Sequence, residues 1–178
     1  MNQSALNFRA ARAPRPAGSG SVRAVGVFLL LLAVSSGCTG DPGAAARGHM
    51  AEGDAYAAQG KLKEATIEYR NALKAVPDLV EAHYQLGRAY LQTEEPEKAY
   101  QSFVRAADLD PAHADAHVRA GTLLLVAGDY REARTLAERA LKASPASADA
   151  HILLGNALAG LDNPGRALNQ IEQAIHLD

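Results

Sequence analysis

Small and apolar side chains recur along most of this chain at helical spacing, and stretch 80–113 shows the pattern most clearly. In its first half these positions are His83, Leu86, Gly87 and Tyr90, and in its second half Ala99, Phe103 and Ala106. Between the halves Glu94-Glu95-Pro96 is a turn signal, since proline suits the first turn of a helix. The pattern predicts two helices joined by a tight turn.

The same pattern returns every 34 residues. In phase are His49, His83, His117 and His151; Gly53, Gly87, Gly121 and Gly155; Ala65, Ala99, Ala133 and Ala167; Ala72, Ala106, Ala140 and Ala174; and Pro77, Pro111 and Pro145. Further turn signals lie at Gly60, Gly128-Asp129 and Asp162-Asn163-Pro164. Self-similarity at this period predicts stacked helix–turn–helix units. Because a glycine inside a helix costs about 1 kcal/mol relative to alanine, its recurrence predicts a close contact, with an alanine of the partner helix against the glycine backbone.

The second unit resembles the tetratricopeptide repeat (TPR) family, whose signature is W-x2-L-G-x2-Y, then A-x3-F, then P. The matching residues are His83, Leu86, Gly87, Tyr90, Ala99, Phe103 and Pro111, with histidine in place of tryptophan. In the third and fourth units Leu124 and Leu158 replace the tyrosine, and Ala137 and Ile171 replace the phenylalanine. The resemblance implies an all-α fold, a right-handed α-solenoid of four TPR repeats. Their expected ranges are 46–79, 80–113, 114–147 and an incomplete 148–178.

In TPR proteins the first helices line a concave groove that binds peptides, and the resemblance assigns that role by position. The implied groove residues are Met50, Asp54, Glu81, Tyr84, Arg88, Leu91, Asp115, Val118, Thr122, Leu125, Asp149, Ile152 and Asn156. The row Met50, Tyr84, Val118 and Ile152 would form an apolar stripe edged by three acidic residues. Such a groove suits an apolar peptide or amphipathic helix with basic flanks. The alternative is that the stripe packs against the protein's own tether or a further repeat.

The first 37 residues read as a secretory signal peptide. A basic stretch without Asp or Glu precedes the apolar run 24–34, which is too short to cross a bilayer. Ser35-Ser36-Gly37-Cys38 resembles the bacterial lipobox, although Ser35 stands where an aliphatic residue is usual. The resemblance implies acylation of Cys38, with palmitate among the acyl groups, and a flexible tether over 38–45. Plain secretion and an incidental cysteine are the alternatives.

If Cys38 is lipidated, the chain belongs to the bacterial cell envelope, and Thr39 after the cysteine favours an outer membrane location facing the periplasm. TPR lipoproteins resemble pilus pilotins and factors of secretion or polysaccharide-export machines, so the expected role is an adaptor. The fourth unit stops before its closing proline, without a polar capping helix. Either the chain is part of a longer array, or the last helix docks on another subunit through Leu168, Ile171 and Ile175.

Charge and motifs argue against nucleic-acid binding and catalysis. From Cys38 onward 14 Lys and Arg face 20 Asp and Glu, and a nucleic-acid binder would need a basic face. One histidine per repeat cannot converge on one ion, and the pair His113 and His117 lacks an H-E-x-x-H context. The sequence therefore predicts no metal, no cofactor and no enzyme, unless a catalytic domain lies beyond Asp178.

Overall fold

The computed structural model describes residues 41–177, which form eight helices in chain order. They are α1 Pro42–Ala58, α2 Leu62–Ala75, α3 Val80–Gln92, α4 Pro96–Leu109, α5 Ala114–Ala127, α6 Tyr130–Ala143, α7 Ala148–Gly160 and α8 Pro164–Leu177. Within this range no strand is present, and no helix is both long and apolar enough to span a membrane. The predicted all-α solenoid of TPR repeats is confirmed. The predicted signal peptide, with Cys38, lies outside the described residues.

The first helix starts earlier than the sequence predicts. The Asp41 carboxylate accepts hydrogen bonds from the backbone N–H groups of Gly43 and Ala44, at 3.0 and 3.1 Å, and Pro42 occupies the first turn. An aspartate cap followed by proline is a strong helix start, because it satisfies N–H groups that have no partner within the helix. The expectation of a flexible tether as far as residue 45 is therefore wrong for 42–45.

Each hairpin turns at a residue with positive φ, and these four residues are again 34 apart. They are Gly60, Glu94, Gly128 and Asp162, with φ of 73°, 59°, 80° and 56°. Only glycine adopts this left-handed conformation without a steric penalty. Two of the four turns therefore carry a residue that the local backbone disfavours.

Helices pair within each repeat, and the second helix of a repeat packs on the first helix of the next. Alanine side chains with no exposed surface lie at these contacts. They include Ala65, Ala72, Ala82, Ala99, Ala106, Ala116, Ala133, Ala140 and Ala150. Small residues at these positions let the helix backbones approach closely and leave little space to fill. This regular contact stacks the repeats into a solenoid.

The recurrent glycines do mark close contacts, but mostly with large side chains. A Cβ atom on Gly53 would lie 2.6 Å from the Tyr69 ring, one on Gly87 would lie 2.8 Å from Phe103, and one on Gly155 would lie 2.7 Å from Ile171. Only at Gly155 is an alanine close, through the backbone oxygen of Ala167 at 3.3 Å. The predicted alanine partner is thus wrong for Gly53 and Gly87, because the large residue of the A-x3-F motif rests on these glycines. At Gly121 the nearest atom belongs to Leu153 of the next repeat.

The recurrent histidines join consecutive repeats. The Nε2 atoms of His83, His117 and His151 lie 2.9, 3.2 and 3.1 Å from the backbone oxygens of Pro77, Pro111 and Pro145. Each ring can donate an N–H to the carbonyl at the end of the preceding repeat. This bond gives a physical reason why histidine and proline recur at the same period.

Candidate peptide-binding groove

The predicted groove residues lie on the four first helices, and their exposure differs widely. Exposed are Asp54, Glu81, Arg88, Asp115, Thr122, Asp149, Ile152 and Asn156; half-buried are Met50, Leu91 and Leu125; buried are Tyr84 and Val118. The polar positions are thus accessible to a partner, whereas most of the predicted apolar positions are not.

The expected apolar stripe is interrupted. Tyr84 packs against Phe103 and against His113, the N-cap residue of α5, with ring centroids 5.6 and 4.7 Å apart. Val118 is buried with alanines of α6 and α7. Of the row, only Ile152 is exposed, by 42%. The next repeat covers most of this row, so the expectation of a continuous apolar stripe is wrong.

Two buried tyrosines donate hydrogen bonds to acidic groove residues. The Tyr69 hydroxyl lies 2.8 Å from Asp54 Oδ1, and the Tyr84 hydroxyl donates to Asp115 Oδ2. Burial raises the pKa of both phenols above the ordinary value, and the bonded carboxylates raise it further. Both hydroxyls therefore stay protonated as donors, and they hold Asp54 and Asp115 in place.

A polar cleft of about 370 Å³ opens between repeats 1 and 2. Asp54, Gln85, Arg88 and Gln92 line it, with the apolar floor formed by Ala57, Ala58, Leu62, Tyr69 and Ala89. Arg88 Nη1 donates to Gln85 Oε1 at 3.1 Å. Amide, carboxylate and guanidinium groups side by side can bind the backbone and polar side chains of a peptide. This cleft is the polar half of the groove.

The equivalent part of repeats 3 and 4 is less polar, although the exposed Thr122 and Asn156 occupy the positions of Asp54 and Arg88. Val126, which occupies the position of Gln92 one repeat on, is 84% exposed. Ile152 is also exposed, and Tyr130 packs over Gly160 while 37% of it remains accessible. Exposed apolar side chains favour contact with an apolar partner. We call Val126, Tyr130 and Ile152 the apolar half of the groove.

Sequence reasoning missed Gln85, Gln92 and Val126. A signal was present, because Gln85, Arg88 and Gln92 follow one another at intervals of three and four, which places them on one helix face. Val126 lies 34 residues after Gln92, so it is the equivalent residue of the next repeat, where an apolar side chain replaces the amide. These three positions distinguish the polar half of the groove from the apolar half.

The histidine pair His113 and His117 at the start of α5 forms hydrogen bonds with the backbone. His113 is the N-cap of α5, and its Nδ1 accepts a hydrogen bond from the Ala116 N–H at 3.3 Å. His117 is 3% exposed, and its Nε2 bonds to the Pro111 carbonyl. Both rings therefore form hydrogen bonds with backbone groups in or beside the connection between α4 and α5.

Models of the tetratricopeptide repeat match residues 53–94, 80–113 and 118–178. The chain belongs to the tetratricopeptide repeat family. Its matches begin in repeat 1 and extend through repeat 4, in agreement with the helix pairs described above. A search of curated proteins gives no match.

Solved structures share the architecture. MamA 41-end from Desulfovibrio magneticus RS-1 is similar with a TM-score of 0.68 at 26% identity, over 75% of each chain. YrrB, described as a TPR protein with an unusual peptide-binding site, gives 0.66 at 27% identity, over 75% of this chain and 69% of YrrB. The first TPR of Spaghetti (RPAP3), bound to the HSP90 peptide SRMEEVD, gives 0.63 at 23% identity, over 67% and 95%. At that identity the last likeness concerns the fold alone.

Proposed function

We propose that this chain is an interaction scaffold of the bacterial cell envelope, anchored to a membrane by a lipid on Cys38. In this proposal its groove holds a peptide or an amphipathic helix, and the chain serves as an adaptor of an envelope machine. A stack of TPR repeats presents an extended surface for protein–protein contacts. The similarity to YrrB, which has a peptide-binding site, supports a peptide partner here.

The observation that carries the proposal is the two-part lining of the groove. The polar half offers Asp54, Gln85, Arg88 and Gln92, whereas the apolar half offers Val126, Tyr130 and Ile152. Acidic residues of the first helices, Glu81, Asp115 and Asp149, are exposed alongside. This lining suits a partner that presents apolar side chains to repeats 3 and 4 and basic side chains to the acidic positions.

Peptide binding is tested with two fluorescent helical peptides that share a leucine face and differ in their flanks, one basic and one acidic. We expect the basic peptide to bind more tightly, and Ile152→Glu to weaken its binding at least about tenfold, as expected for a central apolar contact. Ile67→Glu is the matched control, because Ile67 is 55% exposed on α2, outside the groove. Equal binding of the two peptides, or no effect of Ile152→Glu, would contradict the proposal.

The lipid anchor rests on the sequence Ser35-Ser36-Gly37-Cys38 after an apolar run. Its test compares the intact mass and membrane fractionation of the wild type with those of Cys38→Ala, expressed in a bacterium. We expect the wild type to carry a lipid-sized mass and to sediment with membranes, and the variant to lose both. An unmodified wild type in the soluble fraction would refute the anchor and leave the groove proposal standing.

Self-association through the last helix is a second candidate function. On α8, Leu168 and Ile175 are 58% and 69% exposed. Leu73 and Leu141, which are equivalent to Ile175 in repeats 1 and 3, pack in clusters with Ala82 and Ala150 of the following repeat. Light scattering should then show a concentration-dependent dimer that Ile175→Glu abolishes and Ile67→Glu leaves intact. A monomer at all concentrations would remove this candidate.

A further inference from the structure

The outer face of repeat 1 carries a histidine and two glutamates that converge from two helices. His49 and Glu52 lie on α1, and Glu68 lies on α2. One ligand atom from each side chain lies within 4.8 Å of the other two. His49 Nδ1 is 2.7 Å from Glu68 Oε2, and the Asn71 amide donates to the same oxygen at 3.4 Å. The cluster is separate from the groove, so it is not explained by peptide binding.

Repeat 4 contains the same histidine contact without the acidic residues. His151 Nδ1 lies 2.8 Å from Gln170 Oε1, and these two residues occupy the positions of His49 and Glu68. At the position of Glu52, repeat 4 has the buried Leu154. The fold therefore needs neither carboxylate in order to form the histidine contact.

A cation would add a favourable electrostatic interaction to the acidic version. Two carboxylates at this separation repel each other, while one imidazole supplies at most one positive charge. Of the two carboxylates, Glu52 is exposed and the Glu68 side chain is 17% exposed, so water screens part of the repulsion between them. A divalent cation between the three groups would replace this repulsion by attraction.

The donor set matches a transition metal rather than calcium or magnesium. Zinc binds imidazole nitrogen and carboxylate oxygen at about 2.0–2.2 Å, which places neighbouring ligand atoms about 3.3 Å apart in a tetrahedral site. Calcium and magnesium prefer six or more oxygen ligands. The three ligand atoms now lie within 4.8 Å of one another, and the exposed side chain of Glu52 has room to rotate toward the other two.

We propose that His49, Glu52 and Glu68 form a binding site for one Zn²⁺ ion, with water in the remaining position. The ion links α1 to α2 on the side of repeat 1 away from the groove. Because its ligands come from both helices, it binds the folded hairpin and raises the stability of that repeat.

The test is a calorimetric titration of Zn²⁺ into the purified full-length chain, beside the double variant Glu52→Leu/Glu68→Gln. This variant reproduces in repeat 1 the residues of repeat 4. We expect one ion per chain for the wild type, no competition by a tenfold excess of Ca²⁺, and at least about tenfold weaker binding by the variant. His151→Gln is the matched control and should bind Zn²⁺ as the wild type does.

Equal Zn²⁺ binding by the wild type and the double variant would overturn the proposal, and so would a wild type that binds no Zn²⁺. Circular dichroism establishes that the variant is folded before it is titrated. A second readout is the melting temperature, which one equivalent of Zn²⁺ should raise in the wild type and His151→Gln but not in the double variant. An equal rise in all three proteins would point to binding elsewhere and would also overturn the site.

Discussion

Repeats 2 and 3 each have a space over a glycine of the first helix, and this space is filled from different repeats. In repeat 2 the space over Gly87 is filled from within the repeat, by the fully buried Phe103. In repeat 3 the residue equivalent to Phe103 is Ala137, which is too small, and Leu153 of the next repeat reaches over Gly121 instead. The same volume is thus filled by one repeat in the first case and shared between two repeats in the second.

Filling the space with Leu153 of the next repeat adds a contact between repeats 3 and 4. Because Leu153 comes from α7 and rests on α5, these two first helices pack directly against each other. At the positions equivalent to Leu153, repeats 2 and 3 carry the polar residues Gln85 and Arg119. The departure from the TPR signature therefore ties repeats 3 and 4 together beneath the apolar half of the groove.

The largest effect is expected from emptying the space in repeat 2. Phe103→Ala should lower the free energy of unfolding by about 3–5 kcal/mol, since it removes a ring with no exposed surface and leaves a cavity against Gly87. Denaturant titration followed by circular dichroism measures the change. A loss below about 1 kcal/mol would mean that repeat 2, like repeat 3, has a neighbour able to fill the space.

The role of Leu153 over Gly121 can be tested by placing a phenylalanine at position 137, as in repeat 2. Ala137→Phe should destabilise by about 1–3 kcal/mol, because the new ring would occupy the space that holds Leu153. Leu153→Ala should destabilise through a cavity, whereas the double variant should lose less than the sum of the two, by about 0.5–3 kcal/mol. Additive losses would show that the two side chains do not share one space.

The hairpin turns provide a smaller test of the same two repeats. Glu94 in repeat 2 has a φ of 59°, whereas repeat 3 has Gly128 at the equivalent position. Glu94→Gly should raise the free energy of unfolding by about 0.5–1 kcal/mol, because it removes the steric penalty of the left-handed conformation. Gly128→Ala should have the opposite effect. Thermal unfolding of both variants measures these changes in stability. A lower stability of Glu94→Gly would contradict the assigned turn.

The smallest expected effect is a pH dependence of the folding stability that arises from His117 in repeat 3. Burial lowers the pKa of His117 below its ordinary value of 6.5, and Arg139 and His113 act in the same direction, against Pro111 and Asp108. The ring's Nδ1 is buried without a hydrogen-bond partner, since Leu136 occupies the position that Gln170 has in repeat 4. A histidine with a lowered pKa favours the folded state only while neutral.

The unfolded chain therefore binds the extra proton first as the pH falls. Stability should fall as the pH drops from about 6.5 to the lowered pKa of His117, and this slope should level off below that value. Urea titrations across this range measure the slope. His117→Gln should reduce it, while His83→Gln, the equivalent change in repeat 2, is the control. An unchanged slope in His117→Gln would contradict the assignment.

The repeat pattern predicted the fold well, because its signals are local. Helix pairs, turns and closing prolines follow from spacing within about 34 residues. The first residues of α3, α5 and α7 are 34 apart, and so are those of α4, α6 and α8. The groove was predicted less well. Asp54 and Arg88 line the cleft between repeats 1 and 2, whereas Tyr84 and Val118 are covered by the following repeat. Their burial depends on contacts about 30 residues away, which no local pattern reports.

The sequence by itself determined that the described chain is a stack of four helical hairpins, because a 34-residue period and glycine or proline at turns act on nearby backbone. Only the tertiary structure decided which side chain fills each space between helices and which groups meet. Leu153 on Gly121, the polar and apolar halves of the groove, and the convergence of His49, Glu52 and Glu68 all arise from contacts between helices. The physical reason is that side-chain packing and charge depend on distance in space, whereas periodicity records only distance along the chain.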